Sequence, residues 1–465
     1  MNSLFSTEHL VRPELRKGPL PGARTAYSIF LRIALPSMAE MILVSLVGMV
    51  DTIMVASLGT VAISAVGLTG QPRMIALCVF FGLNAGLTAV VARRKGEGRQ
   101  KDAGRTLRVM LLIILALSVL LSFLCWQFSD SMMRLSGAKE DTLRPASTYF
   151  RIIMLALPLN ALTMAISAAL RGIGKTKITM YINGTSNVVN VIFNYFLIGG
   201  RCGFPELGIS GAAIASVIGI FVGFLIAVFA LIGKNSYFSM RFTGADFRFP
   251  REILKPVMMV SSNALLEQLC LRVGFLAFSR LVADLGTEAY AAHQICIQCL
   301  NLTFNMADGL GAAGTSLVGQ KLGEGRPDLS ILYGKVSQRI SLFFALITAA
   351  AMALLRKQIV AIFSTDPLVV PLAETVMLLV AAFQPFQMSA VTVTGCLRGS
   401  GDTKFVAKVM MLCVTVVRPG LCALAIYVFH LGLYGAWFAM LGDIILRLVL
   451  VYLRFSSGTW ALIKL

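Results

Sequence analysis

The sequence predicts an all-α membrane protein whose twelve transmembrane helices form two pseudo-symmetric six-helix bundles. Three observations carry that prediction. The chain of 465 residues is 57% hydrophobic and only 14% charged, too little charge to cover a soluble protein of this size. Twelve apolar stretches follow one another, each long enough to cross a hydrocarbon core of ~30 Å as a helix. The chain also repeats itself at a constant offset: the step from Leu58 to Leu285 equals the step from Arg171 to Arg398.

The segment 1–27 is mixed and basic (Arg12, Arg16, Lys17, Arg24) and lacks an apolar core with a cleavage site, so it reads as a cytoplasmic tail rather than a signal peptide. The apolar stretches are 28–56, 61–92, 106–127, 147–170, 178–199, 208–232, 253–283, 288–319, 336–355, 369–396, 405–429 and 433–453. Barrel strands would be about half as long and would alternate in polarity. The net charge of +19 is distributed between the stretches, which argues for membrane edges and against nucleic acid. An even number of spans places both termini on one side. The segments 93–105, 171–177, 233–252 (with Lys234, Arg241, Arg248 and Arg251) and 320–335 are rich in Lys and Arg, whereas 284–288 and 430–434 have none. Arg134, Lys139, Arg144, Arg356 and Lys357 run against this bias, which still puts both termini in the cytoplasm of a cell (inner) membrane protein. The nine cysteines lie mostly inside apolar runs and read as small core residues.

The repeat pairs Leu58-Gly59-Thr60 with Leu285-Gly286-Thr287, Gly96-Glu97-Gly98-Arg99 with Gly323-Glu324-Gly325-Arg326, Pro158 with Pro385 and Glu40 with Glu267. Later, Gly208 and Gly211 match Gly432 and Gly435 at an offset shorter by three, the mark of one small indel. Six helices per repeat give both halves the same orientation, the architecture of carriers that rock about a central cleft. The predicted organisation is a tail (1–27), an N-lobe (28–232), a linker (233–252), a C-lobe (253–455) and a second tail (456–465). Duplication alone is also compatible with a rigid membrane scaffold.

Ionisable groups at membrane depth are expensive and mark functional candidates. Glu40 and Asp51 in the first helix are eleven positions apart, about three full turns, and so share a face. Asn187, Asn190 and Asn194 share a face of the fifth helix; their amides suit either cation coordination or interhelical hydrogen bonding. In the second half Glu267 repeats Glu40, but Phe278 stands where Asp51 would be. Arg272, His293, Asp308 and Arg418 are further charged or titratable groups in the spans; Glu267 is placed to pair with Arg272 or Arg418. Asp443 and Arg447 are spaced i, i+4, as an intrahelical pair would be.

Some apparent motifs carry no chemistry. Gly172-Ile173-Gly174-Lys175-Thr176 resembles the end of a phosphate loop, but Ala169 stands at the first required glycine and the repeat copy has Asp402 in place of the lysine. His293, Cys296 and Cys299 lie on an apolar helix and lack a fourth zinc ligand.

The chain resembles the multidrug and toxic compound extrusion (MATE) transporters over about 28–455. The resemblance rests on Val50-Asp51-Thr52, Gly96-Glu97-Gly98, Arg171-Gly172-Ile173-Gly174-Lys175-Thr176, Asn190-Val191-Ile192-Phe193-Asn194-Tyr195, Ala291-Ala292-His293-Gln294 and Leu397-Arg398-Gly399-Ser400-Gly401-Asp402-Thr403. It implies a non-enzymatic efflux carrier, without cofactor, that exchanges organic cations or drugs for Na⁺ or H⁺. It places the N-lobe cation site on Asp51, Asn190 and Asn194, with the NorM type at the last position. A C-lobe site would use Glu267 and a carboxylate at Gln387; its replacement by an amide shifts the weight to Asp51.

The expected substrate contacts are Asp51, Glu40, Glu267, Gln387 and Arg272, and the expected partners are the bilayer and small amphipathic drugs, with the protein as a monomer. A flippase for lipid-linked saccharides would need a cationic cavity, for which Arg272 and Arg418 are the deep candidates. A dedicated natural-product or toxin exporter would use the same residues. A membrane-embedded enzyme would need a convergent nucleophile, base or metal set, and the sequence displays none.

Overall fold

The computed structural model describes residues 7–233, 236–239, 244, 246, 250–364 and 366–463. Its helices are α1 (Ala23–Ala56), α2 (Thr60–Gly96), α3 (Gln100–Gln127), α4 (Ser129–Leu135), α5 (Glu140–Leu155), α6 (Leu157–Gly172), α7 (Thr176–Ile198) and α8 (Gly208–Ile232) in the first half. The second half has α9 (Arg251–Ala283), α10 (Thr287–Gly323), α11 (Pro327–Leu354), α12 (Arg356–Phe363), α13 (Val369–Ser400), α14 (Thr403–Val428) and α15 (Gly432–Ser457). Lys234, Arg241 and Arg248 of the expected linker lie outside the described residues.

Among the described residues, eight helices are long and apolar enough to cross a membrane by themselves, and α5 with α6 makes a ninth span bent by 49°. The fourth apolar stretch is therefore two helices rather than one. Pro158, in the first turn of α6, has no N–H to donate backwards, so a helix restarts there rather than continuing. The remaining three spans are α7, α9 and α10, of 23, 33 and 37 residues. They are long enough but fall outside the apolar group because they carry the amides, carboxylates and His293 that drew attention in the sequence. Together these make the twelve spans expected.

The chain forms two compact units: Ala39–Ser261, and Met1–Met38 with Ser262–Leu465. These boundaries differ from the repeat boundaries, because α1 and α9 each begin in one unit and continue in the other. Ala26, Phe30, Ala34 and Met38 of α1 share a core with Ala307, Leu310 and Leu332. In the other unit Val257 of α9 joins Phe80, Leu87 and Met110. Glycine allows the close approach: a Cβ on Gly86 would stand 2.6 Å from the Val257 carbonyl oxygen.

The segments preceding these helices are docked as well. Leu10 and Val11 are buried, the Lys17 N–H donates to Asp328 Oδ2 at 3.2 Å, and Arg326 donates to the Pro19 carbonyl at 3.1 Å. In the other unit Arg108 donates to Asp246 Oδ2 at 2.9 Å and to the Ser239 carbonyl at 2.6 Å.

The phosphate-loop lookalike is a helix ending that recurs in each half. Gly174 and Gly401 have φ of 80° and 93°, the left-handed region that glycine tolerates. Their N–H groups donate back to the carbonyls of Arg171 and Arg398. Two residues earlier, Gly172 and Gly399 press on the carbonyls of Thr88 and Thr315. The Thr88 and Thr315 hydroxyls in turn donate to Ala168 and Gly395 carbonyls at 3.0 and 2.7 Å. The glycines are there for close helix packing, and the packing aims the adjacent arginine inward.

Candidate functional site

In the unit Ala39–Ser261, one face of α1 lies on one face of α7. Glu40 and Asp51 are three turns apart on α1; Asn183 and Asn194 are three turns apart on α7. The helices run parallel, so each carboxylate meets its own amide. Glu40 is 1% exposed. It accepts from Arg171 Nη1 at 3.0 Å, Thr179 Oγ1 at 2.7 Å and Asn183 Nδ2 at 2.7 Å. A carboxylate enclosed to this degree and met by three donors is an anchor between α1, α6 and α7, with its charge cancelled locally. Glu40, expected as a substrate contact, is thus spent inside the unit.

Asp51 has a different environment. It is partly exposed, and Asn194 Nδ2 donates to its Oδ1 at 2.7 Å. The Asn190 amide nitrogen faces both carboxylate oxygens at 2.8 and 3.0 Å, while its oxygen faces Ser216 of α8, 3.0 Å from Oγ and 3.2 Å from N–H. Tyr149 of α5 reaches the same serine, and Arg73 of α2 lies within electrostatic range of Asp51. Asn190 and Asn194 are buried, and Asn194 Oδ1 is enclosed without a partner. Asn187 is partly exposed and stands outside this set.

Gly219 makes the arrangement possible, because a Cβ there would stand 2.6 Å from the Ser186 carbonyl and 3.0 Å from Asn190 Cβ. Gly219→Ala is therefore expected to push α8 off α7 and lower stability by about 1–3 kcal/mol. Gly67→Ala on α2, where nothing stands within 4 Å, should leave the melting temperature of the purified protein unchanged or raised. Equal melting temperatures for the two variants would remove Gly219 from this account.

The second half repeats the anchor without the amides. Glu267 is 1% exposed and is held by Arg398, whose Nε lies 3.2 Å from Oε2 and whose Nη2 reaches Oε1. The expected partners Arg272 and Arg418 are not used. Arg272 is partly exposed, with a buried Nε that meets no acceptor, and Arg418 Nη2 donates to Asp443 Oδ2 at 2.6 Å. The expected i, i+4 pair of Asp443 with Arg447 is likewise replaced. Arg447 Nη2 reaches across to Gln387 Oε1 at 2.8 Å, since packing against α13 and α14 offers each group a closer partner than its own helix does. Gln387 is buried and so committed. His293 sits among Phe278, Tyr290 and Trp437. Among the described residues no group of three His, Cys, Asp or Glu side chains is placed to hold a metal ion.

The positions equivalent to Thr179 and Asn183 are Val406 and Met410, and those equivalent to Asn190 and Asn194 are Val417 and Leu421. Among the described residues, then, only the first half has a second, partly open carboxylate with amides on it. Sequence reasoning missed Arg171, Thr179, Asn183, Ser216, Arg73 and Arg398 as partners. A signal did exist for two of them, because each half keeps both a Glu and an Arg at matching positions.

The comparisons follow this duplication. The MatE family model matches twice, over residues 36–196 and 264–424. The chain belongs to the MatE family. The second match starts within one position of where the repeat read from the sequence would put it. The probable multidrug resistance protein NorM of Thermotoga maritima is 29% identical over 431 residues, 92% of each chain. The multidrug resistance protein PmpM of Pseudomonas aeruginosa is 28% identical over 383 residues, 82% of this chain and 80% of its own. A solved MOP superfamily transporter from Pyrococcus furiosus shares the fold with a TM-score of 0.87 at 21% identity, covering 93% of this chain and 96% of its own. The Vibrio cholerae MATE transporter VcmN, also solved, has a TM-score of 0.87 at 17% identity, covering 93% and 97%. Members of the family are transporters rather than enzymes, and this MatE chain is a multi-pass membrane protein.

Proposed function

We propose that this chain exports organic cations or amphipathic drugs in exchange for Na⁺ or H⁺, with Asp51, Asn190 and Asn194 as the exchange site. The observation that carries the reading is the partly open Asp51 carboxylate held by two asparagine amides. An amide presents two donors on one side and an acceptor oxygen on the other. With Asp51 empty and charged, the nitrogens face it. When Na⁺ binds, rotation of either amide offers the cation an oxygen beside the carboxylate. When a proton binds instead, the same rotation of Asn194 turns its Oδ1, buried without a partner, to accept from the carboxylic O–H. Either ion cancels the charge that a cationic drug would use, so ion and drug exclude one another at this group.

Glu40 and Gln387 have no role as substrate contacts in this reading, since both are buried and committed to protein partners. Glu267, equally buried and held by Arg398, has none either, and Arg272 remains the secondary candidate on the other unit. Lys and Arg enrichment at one set of helix ends supports both termini lying in the cytoplasm. The chain carries one complete pair of repeats, which supports action as a monomer.

The reading is tested with purified protein in liposomes loaded with a fluorescent organic cation, with the Na⁺ and pH gradients set independently. Cation movement should follow one of the two gradients and vanish when that gradient is abolished. Movement indifferent to both would remove the exchange mechanism.

A further inference from the structure

A patch of like charge that neither the anchors nor the exchange site uses lies where the N-terminal segment docks on α11. Leu10 and Val11 share a core with Leu332, Val336 and Ile340, and this apolar seam fixes what the neighbouring polar residues meet. Arg12 follows directly and comes within electrostatic range of Lys335, as does Arg339, one turn further along α11. Arg16 folds back over the same place, its Nε and Nη2 each donating to the Val11 carbonyl at 3.3 Å. Arg339 Nη1 donates to the Tyr27 hydroxyl of α1 at 3.3 Å. Lys335 and Arg339 are partly exposed, and Arg12 and Arg16 are exposed.

The carboxylates close to this patch in sequence do not balance it. Asp328 is held by Arg326 and by the Lys17 N–H, and Glu324 is paired with Lys321. Glu14 lies in the short turn Pro13–Leu15 and, among the described residues, forms no ion pair. Among the same residues Lys335 makes no hydrogen bond or ion pair, and the charges acting on it, Arg12 and Arg339, are both positive. Like charges gathered by an apolar seam repel one another until an anion joins them.

The rest of α11 says what kind of anion fits. Lys335 stands one residue before the apolar stretch 336–355. Lys335, Arg339, Leu342 and Leu346 follow at steps of four, three and four, which keeps them within about 60° of one another around the helix. Leu342 and Leu346 are exposed, as is Phe343 beside them. A cationic head therefore sits at the end of an exposed apolar stripe, the layout that matches a phosphate over hydrocarbon chains.

We propose that Arg12, Lys335 and Arg339 bind the headgroup phosphate of an anionic phospholipid whose acyl chains lie along Leu342 and Leu346. The two guanidiniums suit phosphate oxygens, and the lysine adds a point charge. A choline or ethanolamine headgroup would bring a further cation into a patch that already has too many, so the lipid is an anionic one. Because Arg12 comes from the N-terminal segment and the other two from α11, the lipid ties that segment to the helix. The proposal stands independently of the exchange scheme at Asp51.

The test uses the full chain purified in detergent, with phosphatidylglycerol, phosphatidylcholine or inorganic phosphate added back. Melting temperature should rise to a plateau with phosphatidylglycerol and stay level with the other two at the same concentration. Lys335→Gln should raise the half-saturating phosphatidylglycerol concentration roughly fivefold, and adding Arg12→Gln should raise it roughly fivefold again. Lys404→Gln with Lys408→Gln, which removes two exposed cations of α14, should leave it unchanged. An equal rise with phosphatidylcholine or with inorganic phosphate, no rise at all, or the same shift in both pairs of variants overturns the proposal. If Lys335→Gln does not fold, native mass spectrometry compares the unaltered protein with Arg12→Gln, whose side chain is exposed. Fewer bound phosphatidylglycerol molecules on Arg12→Gln support the site, and equal numbers reject it.

Discussion

Asp51→Asn is expected to abolish export of a cationic drug while the protein still reaches the membrane at its normal level. The substitution keeps the size of the side chain and its ability to bond Asn194, so packing between α1 and α7 changes little. It removes the one partly open charge on that face of the unit. An amide neither takes up a proton near neutral pH nor meets Na⁺ or an organic cation with a full negative charge. Export of a fluorescent cation from cells should fall roughly tenfold or more, with the amount of membrane protein measured in parallel. Asp51→Glu, which keeps the charge but displaces it by one methylene, should retain a part of the activity. Export at the normal rate in Asp51→Asn would take this residue out of the mechanism.

The second large effect concerns the two anchors, which are related by the duplication yet differ in how they are supported. Glu40 keeps Thr179 and Asn183 as donors when Arg171 is removed. Among the described residues, Glu267 is hydrogen-bonded by Arg398 alone. Removing one partner of a buried pair leaves an uncompensated charge and costs about 3–5 kcal/mol. That figure is expected in full for Arg398→Met. Arg171→Met should cost less, about 1–3 kcal/mol, because two donors remain on the carboxylate. Pairing Arg398→Met with Glu267→Gln should recover most of the loss, since the charge goes with its partner. Melting temperatures of the purified variants check the order. Equal losses for Arg171→Met and Arg398→Met would show that Thr179 and Asn183 do not support Glu40.

The surroundings of the two carboxylates of α1 explain why Glu40 serves as an anchor and Asp51 suits exchange. Both meet α7. Glu40 lies where an arginine, a threonine and an asparagine converge and has no open side. Asp51 meets amides alone and remains partly open. Burial with a fixed counter-charge makes a group structural, whereas partial exposure with reversible amides lets a mobile ion compete for it.

Much of this was legible beforehand because the governing signals are long. Extended apolar spans, a basic bias between them, and motifs recurring at one fixed offset define twelve helices in two related sets. Helical periodicity also put Glu40 with Asp51, and Asn190 with Asn194, on single faces, since about 100° per residue holds wherever a helix forms. The partners of buried charges were not legible in that way. Asp443 and Arg447 have the spacing of an intrahelical pair, but Arg418 and Gln387 are nearer once α13, α14 and α15 pack. The first turns of α1 and α9 belong to the opposite compact units from the rest of their helices, which no local pattern announces. Spacing along a chain governs what lies on one face of one helix. Which guanidinium answers which carboxylate depends on the register and approach of separate helices, and small residues such as Gly172, Gly219 and Gly399 set these only in the packed state.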